Sequence, residues 1–190
     1  MYPIRREVKK YEEYAYVLDF IPHGLPSRER RHVVTALAQV VGEMEFTLLE
    51  VTIKPGIRLT PGQRIYVGRG RREEIDHVIG RISYDDLTED AKERLPQIIR
   101  KIVENNERRF IEFKNTCRPI SPKRHSLSLL SGIGKKYTTI ILRERENRKF
   151  ESFKELEERT GIHDIVEIIV RRIVDELRGD EKYHLFTRRR

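Results

Sequence analysis

The feature that most constrains the fold is a change of hydrophobic pattern near residues 115–124. Before this segment, short runs of aromatic and β-branched residues alternate with turns rich in glycine and proline, which is typical of β-strands. After it, apolar residues recur at helical spacing. The segment itself contains Pro119 and Pro122 and has the composition of a connection between domains. We therefore predict two domains, residues 1–117 and residues 118–190.

The first domain is expected to form a small, partly closed β barrel. Four runs have the composition and the flanking turns of strands, namely residues 14–21, 46–53, 63–67 and 75–84. Gly80 is expected to mark a bulge or bend in the last of them. Residues 27–42 begin with a possible N-cap, Ser27, and carry apolar side chains at helical spacing, which predicts a helix on the sheet. Several short strands around a helix are typical of such a barrel.

A longer helical segment follows these strands. Thr88 is a suitable N-cap, and the two acidic residues after it place negative charge where the helix dipole favours it. An apolar stripe then runs over residues 98–103. Pro96 has no backbone N–H and is expected to divide the segment into two helices. Residues 110–113 (FIEF) are expected to return to the sheet as a strand.

Residues 118–190 are expected to contain helices and turns only. The predicted helices cover residues 126–130, 135–147, 152–160 and 164–177, with turns at 132–134 and at Gly161. The last helix has a broad face of isoleucine, valine and leucine side chains. This pattern predicts a compact all-α domain.

Net positive charge is concentrated in one part of the chain. The 39 lysine and arginine residues exceed the 31 acidic residues by eight, and the isoelectric point is near 9.6. Residues 1–117 hold 21 basic and 19 acidic residues, residues 118–149 hold 9 and 2, and residues 150–190 hold 9 and 10. The net charges are therefore +2, +7 and −1. A window this one-sided indicates a binding surface for a polyanion.

Nucleic acid is the polyanion that the sequence favours. No run approaches the roughly 18 apolar residues that a membrane-spanning helix needs. The N-terminal segment MYPIRREVKKYEEYAY lacks the apolar stretch of a secretory signal. We therefore expect a cytoplasmic protein without a membrane partner. The absence of tryptophan, with two methionines and one cysteine, resembles the composition of thermophile proteins.

A glycine turn lies inside the +7 window and joins two predicted helices. Glycines 132 and 134 permit a tight turn and a close approach by another backbone, and Ile133 is expected to plug the turn into the core. The next helix would present free N–H groups and the positive end of its dipole. Lys135 and Lys136 oppose that dipole, a conflict that a bound anion would remove. The turn looks like a helix-hairpin-helix motif and predicts a phosphate site, to which Arg124 adds positive field.

A second, degenerate copy of this turn is expected at residues 161–164. Gly161 and Ile162 repeat the first two positions, whereas His163 stands where the second glycine would be. Asp164 would begin the final helix with a negative charge that occupies the dipole end and repels phosphate. We expect the second turn to be mainly structural.

The order of these motifs resembles a known family. Its pattern is carried by Pro119-Ile120, RHSL at 124–127, LLSGIGKK at 129–136 and FESFKELEERTG at 150–161. They follow one another as in an uncharacterised archaeal family of unknown function. The resemblance covers nearly the whole chain and is most specific over residues 118–178.

This resemblance implies a multi-domain α and β architecture. Its N-terminal part would be an OB-like small β barrel with accessory helices, and its C-terminal part an all-α tandem helix-hairpin-helix domain. It also implies a protein that binds RNA or DNA, without implying any particular chemistry. An OB-like barrel favours RNA over DNA, although this expectation rests on analogy of fold.

An OB-like barrel would track a single strand with basic and aromatic side chains. The candidates are Arg64 and Tyr66 in a predicted strand, and Arg69, Arg71 and Arg72 in the loop after it. Two alternatives stay open from the sequence. At least half of the strand tyrosines Tyr14, Tyr16 and Tyr66 could belong to the core. Arg71 and Arg72 could pair with the glutamates that follow them, at positions 73 and 74.

The sequence shows no cofactor motif and no catalytic triad signature. It lacks a dinucleotide fingerprint, a phosphate-binding loop of the Walker type and a zinc ligand pattern, and its one cysteine excludes an internal disulfide. We therefore predict no cofactor, no metal and no catalytic residue. The acidic residues 85–90 leave one enzymatic alternative, a metal-dependent nuclease. A module that binds protein partners in a nucleic-acid complex is a third possibility.

The sequence thus predicts a nucleic-acid-binding protein that contacts the phosphate backbone and performs no chemistry itself. Backbone contacts carry no base information, so the sequence does not specify the strand type or the base sequence that is bound.

Overall fold

The structure is a computed structural model that describes residues 11–24, 35–122 and 124–188. The described chain combines a curled, five-stranded antiparallel sheet with five α-helices, which confirms the predicted mixture of α and β elements. It divides into two compact units, residues 1–94 and residues 95–189. Among the described residues, no helix has both the length and the apolar character needed to cross a membrane.

The sheet of the first unit contains five strands in the order β4-β1-β2-β3-β5. Their bounds are Tyr14–Ile21 (β1), Leu37–Gly42 (β2), Leu48–Ile53 (β3), Arg64–Tyr66 (β4) and Ile75–Arg81 (β5). Each neighbouring pair is antiparallel, with register shifts in β1 and between β3 and β5. One shift lies between Val78 and Gly80, where Gly80 has a φ of 159°, so the predicted irregularity at this glycine is confirmed. Such bulges increase the local twist and help the sheet to curl.

Strand β2 replaces the helix that was predicted over residues 27–42. Residues 25–34, including the expected cap Ser27, lie outside the described residues, and residues Leu37–Gly42 form a strand with every side chain buried. The prediction of a helix here was wrong because β2 lies between β1 and β3 and is covered on both faces. A strand of this kind is apolar along its whole length, and its pattern cannot be told from that of a buried helix segment.

Buried polar groups of the sheet fix the start of the first helix, α1 (Glu89–Asn105). The Gln39 side chain donates from Nε2 to the Asp86 carbonyl at 2.9 Å and accepts from the Thr88 N–H at 2.8 Å. Thr88 Oγ1 accepts from the Ala91 N–H at 3.1 Å, so the predicted N-cap is confirmed. Because Gln39 is fully buried, these bonds satisfy polar groups that would otherwise be costly.

Helix α1 continues through Pro96, so the predicted division at this residue was wrong. A proline inside a helix costs about 3 kcal/mol. The same helix buries Leu95, Ile99 and Ile102 completely, and this burial outweighs the loss of one hydrogen bond. The helix ends instead at Asn105, and the side-chain amide of the next residue, Asn106, donates to the Ile102 carbonyl at 2.9 Å.

Residues 110–113 belong to helix α2 (Glu107–Thr116) and not to a strand, which corrects the prediction made from FIEF. Phe110, Ile111 and Lys114 are buried at positions i, i+1 and i+4, the spacing of one helix face. The sequence FIEF alone fits the spacing of a strand as well as that of a helix. The helical spacing becomes clear only because Lys114 is buried on the same face.

The rest of the second unit follows the predicted helices closely. Its elements are β6 (Pro119–Ser121), β7 (Arg124–His125), a 3₁₀ helix (Ser126–Leu129), α3 (Lys135–Asn147), α4 (Phe153–Thr160) and α5 (Ile165–Arg178). The paired strands β6 and β7 correct the expectation that residues 118–190 contain helices and turns only. They occupy the proline-containing segment, where the sequence favoured a loop.

The compact units divide the chain at Arg94 and Leu95, earlier than the predicted boundary between residues 117 and 118. Helix α2 accounts for the difference through its contacts with later residues. The rings of Phe110 and Phe113 lie 5.5 and 5.0 Å from that of Phe186, and Asn115 exchanges two hydrogen bonds with the Phe150 backbone. Its aromatic face is therefore part of the core of the second unit.

Candidate functional site

The first glycine turn, residues 131–134, has a backbone that depends on its first glycine. Gly132 has a φ of +90°, a region that residues with a side chain rarely adopt. Ile133 is 2% exposed, and its N–H donates to the Leu130 carbonyl at 2.9 Å, so it anchors the turn in the core as expected. Gly134 is the N-cap of α3 with a φ of −79°, which any residue can adopt.

Buried polar side chains support the 3₁₀ helix that leads into this turn. Arg172 of α5 is 4% exposed and donates from Nη1 to the Leu129 carbonyl at 3.0 Å. The Nδ1 atom of His125 accepts the Leu127 N–H at 3.1 Å. Burial, together with the nearby Arg145 guanidinium, holds the pKa of His125 below its ordinary value, which keeps Nδ1 available as an acceptor. The first glycine turn is therefore held by its own unit.

The N-terminus of α3 carries no side-chain cap, because its N-cap is a glycine. A Cβ atom built on Gly134 would have no heavy atom within 4 Å. Lys135 and Lys136 are both exposed in the first helical turn, and within the described residues neither forms an ion pair. The first N–H groups of a helix have no acceptor inside the helix. Two cations thus lie beside an open set of donors that attract anions.

The second glycine turn, residues 161–164, has a backbone like that of the first, but a side chain caps the helix that follows it. Gly161 has a φ of +71° and Ile162 is 3% exposed, which matches Gly132 and Ile133. Asp164 is the N-cap of α5 and accepts the Glu167 N–H at 3.0 Å. Its carboxylate also lies 3.5 Å from Arg100. The expected occupation of this dipole end by Asp164 is confirmed.

Part of the +7 window is used inside the second unit. Arg145 donates to the carbonyls of Lys114 and Cys117, while Arg148 and Arg143 lie 2.6 and 3.3 Å from glutamates. Arg124 lies exposed on β7, close in sequence to the 3₁₀ helix. Lys135 and Lys136, which follow the first glycine turn, form no such pair within the described residues.

The three loop arginines lie in the first unit, on a segment that Tyr66 supports. Gly70 donates its N–H to the Tyr66 hydroxyl at 3.1 Å, and a Cβ on Gly68 would lie 2.4 Å from that hydroxyl. Arg72 donates from Nε to the Gly68 carbonyl at 2.8 Å, and Arg69 lies 4.1 Å from the centre of the Tyr11 ring. Arg71 is exposed. The loop is thus held by contacts with Tyr66 and carries three arginine side chains.

The strand candidates of the same region have structural partners. Arg64 forms two hydrogen bonds with the Glu43 carboxylate, at 2.8 and 3.1 Å, and lies 3.6 Å from the centre of the Tyr14 ring. The Glu43 carboxylate accordingly raises the pKa of Arg64. Tyr66 supports the loop, and Tyr16 is 3% exposed in the core. The interpretation that part of the tyrosine set is structural is confirmed.

Two residues that the sequence reasoning missed, Tyr11 and Arg81, line a cavity together with Arg69 and Arg72. The sequence places Tyr11 before the first strand and Arg81 at the end of β5. The register brings Arg81 opposite Leu49 of β3. The alternation of side chains along β5 could have indicated on which face of the sheet Arg81 lies. Only the pairing of β5 with β3 shows that Arg81 lies near the loop 68–72.

The acidic residues 85–90 take part in helix capping and ion pairs. Asp86 accepts hydrogen bonds from the N–H and the hydroxyl of Ser83, Glu89 lies 2.9 Å from Lys92, and Asp90 lies 3.0 Å from Arg94. Within the described residues, no group of three or more histidine, cysteine or acidic side chains could hold a metal ion. Asp86, Glu89 and Asp90 therefore have structural partners beside the start of α1.

Comparison with known proteins gives consistent matches over almost the whole chain. The family model described as "Protein of unknown function (DUF655)" matches residues 11–188. The uncharacterized protein MJ0038 of Methanocaldococcus jannaschii is 42% identical over 189 residues, which cover 98% of this chain and 85% of that protein. The crystal structure of Af1531 from Archaeoglobus fulgidus, a DUF655 protein, has a TM-score of 0.85 at 43% identity. That match covers 93% of this chain and all of the other.

These matches bear on the resemblance that the sequence indicated. Both relatives are archaeal proteins, and neither is described with an activity. The expected membership of an uncharacterised archaeal family is therefore confirmed at the level of the family. The protein belongs to the DUF655 family of unknown function.

Proposed function

We propose that this protein binds nucleic acid through the phosphate backbone, with RNA favoured over DNA, and performs no chemistry of its own. The observation that carries the proposal is the open N-terminus of α3, where a glycine N-cap is followed by two exposed lysines. Cations at this end of a helix are unfavourable unless an anion is bound. A phosphate would accept the free N–H groups and neutralise the lysines.

Gly134 supports the same proposal because the fold does not require a glycine there. Its φ is ordinary, and the space around a built Cβ is empty. A serine or aspartate at this position would cap the helix more strongly. A bare N-cap is useful where a ligand must approach the backbone closely. Gly132, by contrast, is explained by its positive φ.

The finer architectural assignments belong to this proposal. We propose that the two glycine turns form a tandem helix-hairpin-helix domain and that the curled sheet is an OB-like barrel. The cytoplasmic location and protein partners in a nucleic-acid complex are likewise proposed. Arg124 would add to the field of the first turn, and Arg69, Arg71 and Arg72 would offer a second contact surface for a strand.

The salt dependence of binding tests the phosphate site. In filter-binding titrations with a 5′-labelled RNA hairpin at several salt concentrations, each phosphate contact contributes about 0.7 to 0.9 to the slope of log K against log[salt]. Lys135→Ala combined with Lys136→Ala should therefore flatten the slope by roughly two. The same titrations with a DNA duplex test the expected preference for RNA.

The matched control is the pair Lys149→Ala and Lys154→Ala. It removes the same charge from exposed positions of the same unit, near the C-terminal end of α3 and so at the opposite end of that helix from the first glycine turn. The control should weaken binding less and leave the slope nearly unchanged. Equal flattening by both pairs would show a diffuse charge effect and contradict a site at α3. Unchanged affinity after Lys135→Ala and Lys136→Ala would contradict it as well.

A further inference from the structure

The cavity beside the loop 68–72 has a volume of about 270 Å³ and lies wholly within the first unit. Three arginines line it, Arg69, Arg72 and Arg81. Small-molecule sites usually have volumes of about 300–1,000 Å³, so this cavity suits one small ligand. It lies in the first unit, whereas the first glycine turn lies in the second.

The charge of the cavity is positive. Within the described residues, none of the three guanidinium groups forms an ion pair with a carboxylate. The one acidic lining residue, Glu12, is 6% exposed and accepts the N–H groups of Met44, Glu45 and Thr47 at 2.9 to 3.1 Å. These bonds satisfy the carboxylate, which keeps its single negative charge, so three positive charges and one negative charge give the lining residues a net charge of +2. Three neighbouring cations repel one another, and a bound anion would reduce that repulsion.

Two of the three arginines have side-chain contacts that hold them before any ligand arrives. Arg72 is bound through Nε to the Gly68 carbonyl, and Lys54 donates from Nζ to the Arg72 carbonyl. Arg69 lies over the Tyr11 ring. The pairing of β5 with β3 fixes the backbone position of Arg81, whose side chain is exposed. A site that is ordered in advance loses less conformational entropy on binding.

The remaining lining is apolar and aromatic. Leu49 and Val78 supply aliphatic surface, and Tyr11 supplies a ring that is 60% exposed. Inorganic phosphate would contact the arginines only and would leave this surface uncovered. A ligand that joins a flat ring system to a phosphate uses both parts, because bases stack on aromatic and guanidinium planes.

We propose that this cavity binds a nucleotide, with the phosphate held by Arg72 and Arg81 and the base placed against Tyr11, Leu49 and Val78. The ligand is either a free nucleoside monophosphate or the 5′-phosphorylated end of a single strand, which present the same chemistry. The inference goes beyond the proposed backbone site and is independent of Lys135 and Lys136.

Calorimetric titration of the full chain tests the cavity directly. The probes are adenosine 5′-monophosphate, adenosine and inorganic phosphate. The monophosphate should bind at least tenfold more tightly than either part alone, because it contacts the arginines and the apolar wall together. Arg81→Gln should weaken monophosphate binding about tenfold, the effect of losing one charge-assisted hydrogen bond, and should leave adenosine binding nearly unchanged.

Arg58→Gln is the matched control, since Arg58 is an exposed arginine of the same unit that does not line the cavity. It should leave monophosphate binding unchanged, and thermal unfolding should show that both variants are folded. Equal weakening by the two variants would overturn the proposal. Monophosphate that binds no more tightly than phosphate would overturn it too.

A single-stranded hexamer, with and without a 5′-phosphate, distinguishes the two sources of the nucleotide. A strand end is the ligand if the phosphorylated hexamer binds more tightly than the monophosphate and loses this advantage in Arg81→Gln. A free nucleotide is the ligand if the monophosphate binds more tightly than either hexamer. Failure of the backbone site would appear in the salt slope of Lys135→Ala and Lys136→Ala, so the two proposals fail separately.

Discussion

Lys114 is a charged residue that the structure places entirely inside the second unit. It is 0% exposed, and its Nζ has no hydrogen-bond partner among the described residues. The centre of the Phe113 ring lies 5.3 Å from Nζ. Burial lowers the pKa of Lys114 to about 7. Position 114 is therefore a place where the fold carries an electrostatic cost.

Because of this cost, Lys114→Met should have a higher free energy of unfolding than the wild type, by an amount that depends on pH. An unfolded lysine has a pKa of about 10.4, so between pH 7 and pH 10 the unfolded chain binds more protons than the native one. Stability of the wild type therefore rises with pH over this window, and the full cost remains below pH 7. The advantage of Lys114→Met in free energy of unfolding should shrink by roughly 3–4 kcal/mol between pH 6 and pH 10.

Urea denaturation of both proteins at pH 6, 8 and 10 measures this difference. Other titrating groups cancel in the comparison, because both chains contain them. Lys149→Met, at an exposed position of the same unit, is the control and should show no such pH dependence. An advantage of Lys114→Met that is equal at pH 6 and pH 10 would contradict a buried lysine with a lowered pKa.

At the scale of elements, helices α3 and α5 begin after similar turns with opposite chemistry. The α3 N-terminus has a bare glycine cap and two cations, whereas the α5 N-terminus has the Asp164 carboxylate bound to the Glu167 N–H. Asp164 also has a φ of +50°, a conformation that aspartate tolerates better than most residues. The second turn therefore has a structural explanation within its own helix.

Asp164→Ala should destabilise the protein by about 2 kcal/mol. Alanine removes the cap, which contributes about 1 kcal/mol, and it is disfavoured by a further 1–2 kcal/mol at a positive φ. Asp164→Asn is the matched control, because asparagine retains both the acceptor and the tolerance of this backbone, and its cost should be under 1 kcal/mol. Denaturant unfolding measures both values. An alanine variant as stable as the asparagine variant would contradict the capping role.

At the scale of the whole molecule, the assignment of residues 95–117 distinguishes two views of the chain. The sequence placed them in the first domain, whereas helix α2 contributes aromatic and polar contacts to the second unit. The Glu107 carboxylate accepts the Phe153 N–H at 2.5 Å, and the Asn115 side chain is hydrogen-bonded to the Phe150 backbone. The backbone carbonyl of Lys114 accepts a hydrogen bond from Arg145. A fragment that omits α2 would lose these contacts together.

Two fragments test this assignment. Residues 88–190 retain Thr88, the helices α1 and α2 and all later elements, and should unfold in one cooperative thermal transition. Residues 118–190 would expose the Phe186 ring, which packs against Phe110 and Phe113, and would leave the Phe150 backbone without Asn115. This fragment should lack such a transition. Differential scanning calorimetry with near-ultraviolet circular dichroism measures both. Cooperative unfolding of the shorter fragment would favour the boundary at residues 117 and 118.

The accuracy of the sequence predictions depended on how local the signals were. The helix predicted over 135–147 has those bounds in the structure. Helix α4 begins after Ser152 and ends before Gly161, and α5 begins after Asp164, as the capping chemistry of these residues indicated. The errors at residues 37–42 and 110–113 arose in apolar runs that fit two periods. Pro96 misled because a local cost was outweighed by burial of distant side chains.

The sequence by itself determined the α and β composition, the helices of the second unit, the two glycine turns and the concentration of charge near the first. These features depend on residues that are neighbours along the chain. Only the tertiary structure decided that β2 is a central strand, that Lys114 is buried, and that Tyr11, Arg69 and Arg81 line one cavity. Strand order and packing bring such residues together across long separations, and no pattern of neighbouring residues encodes which distant surface will cover a given side chain.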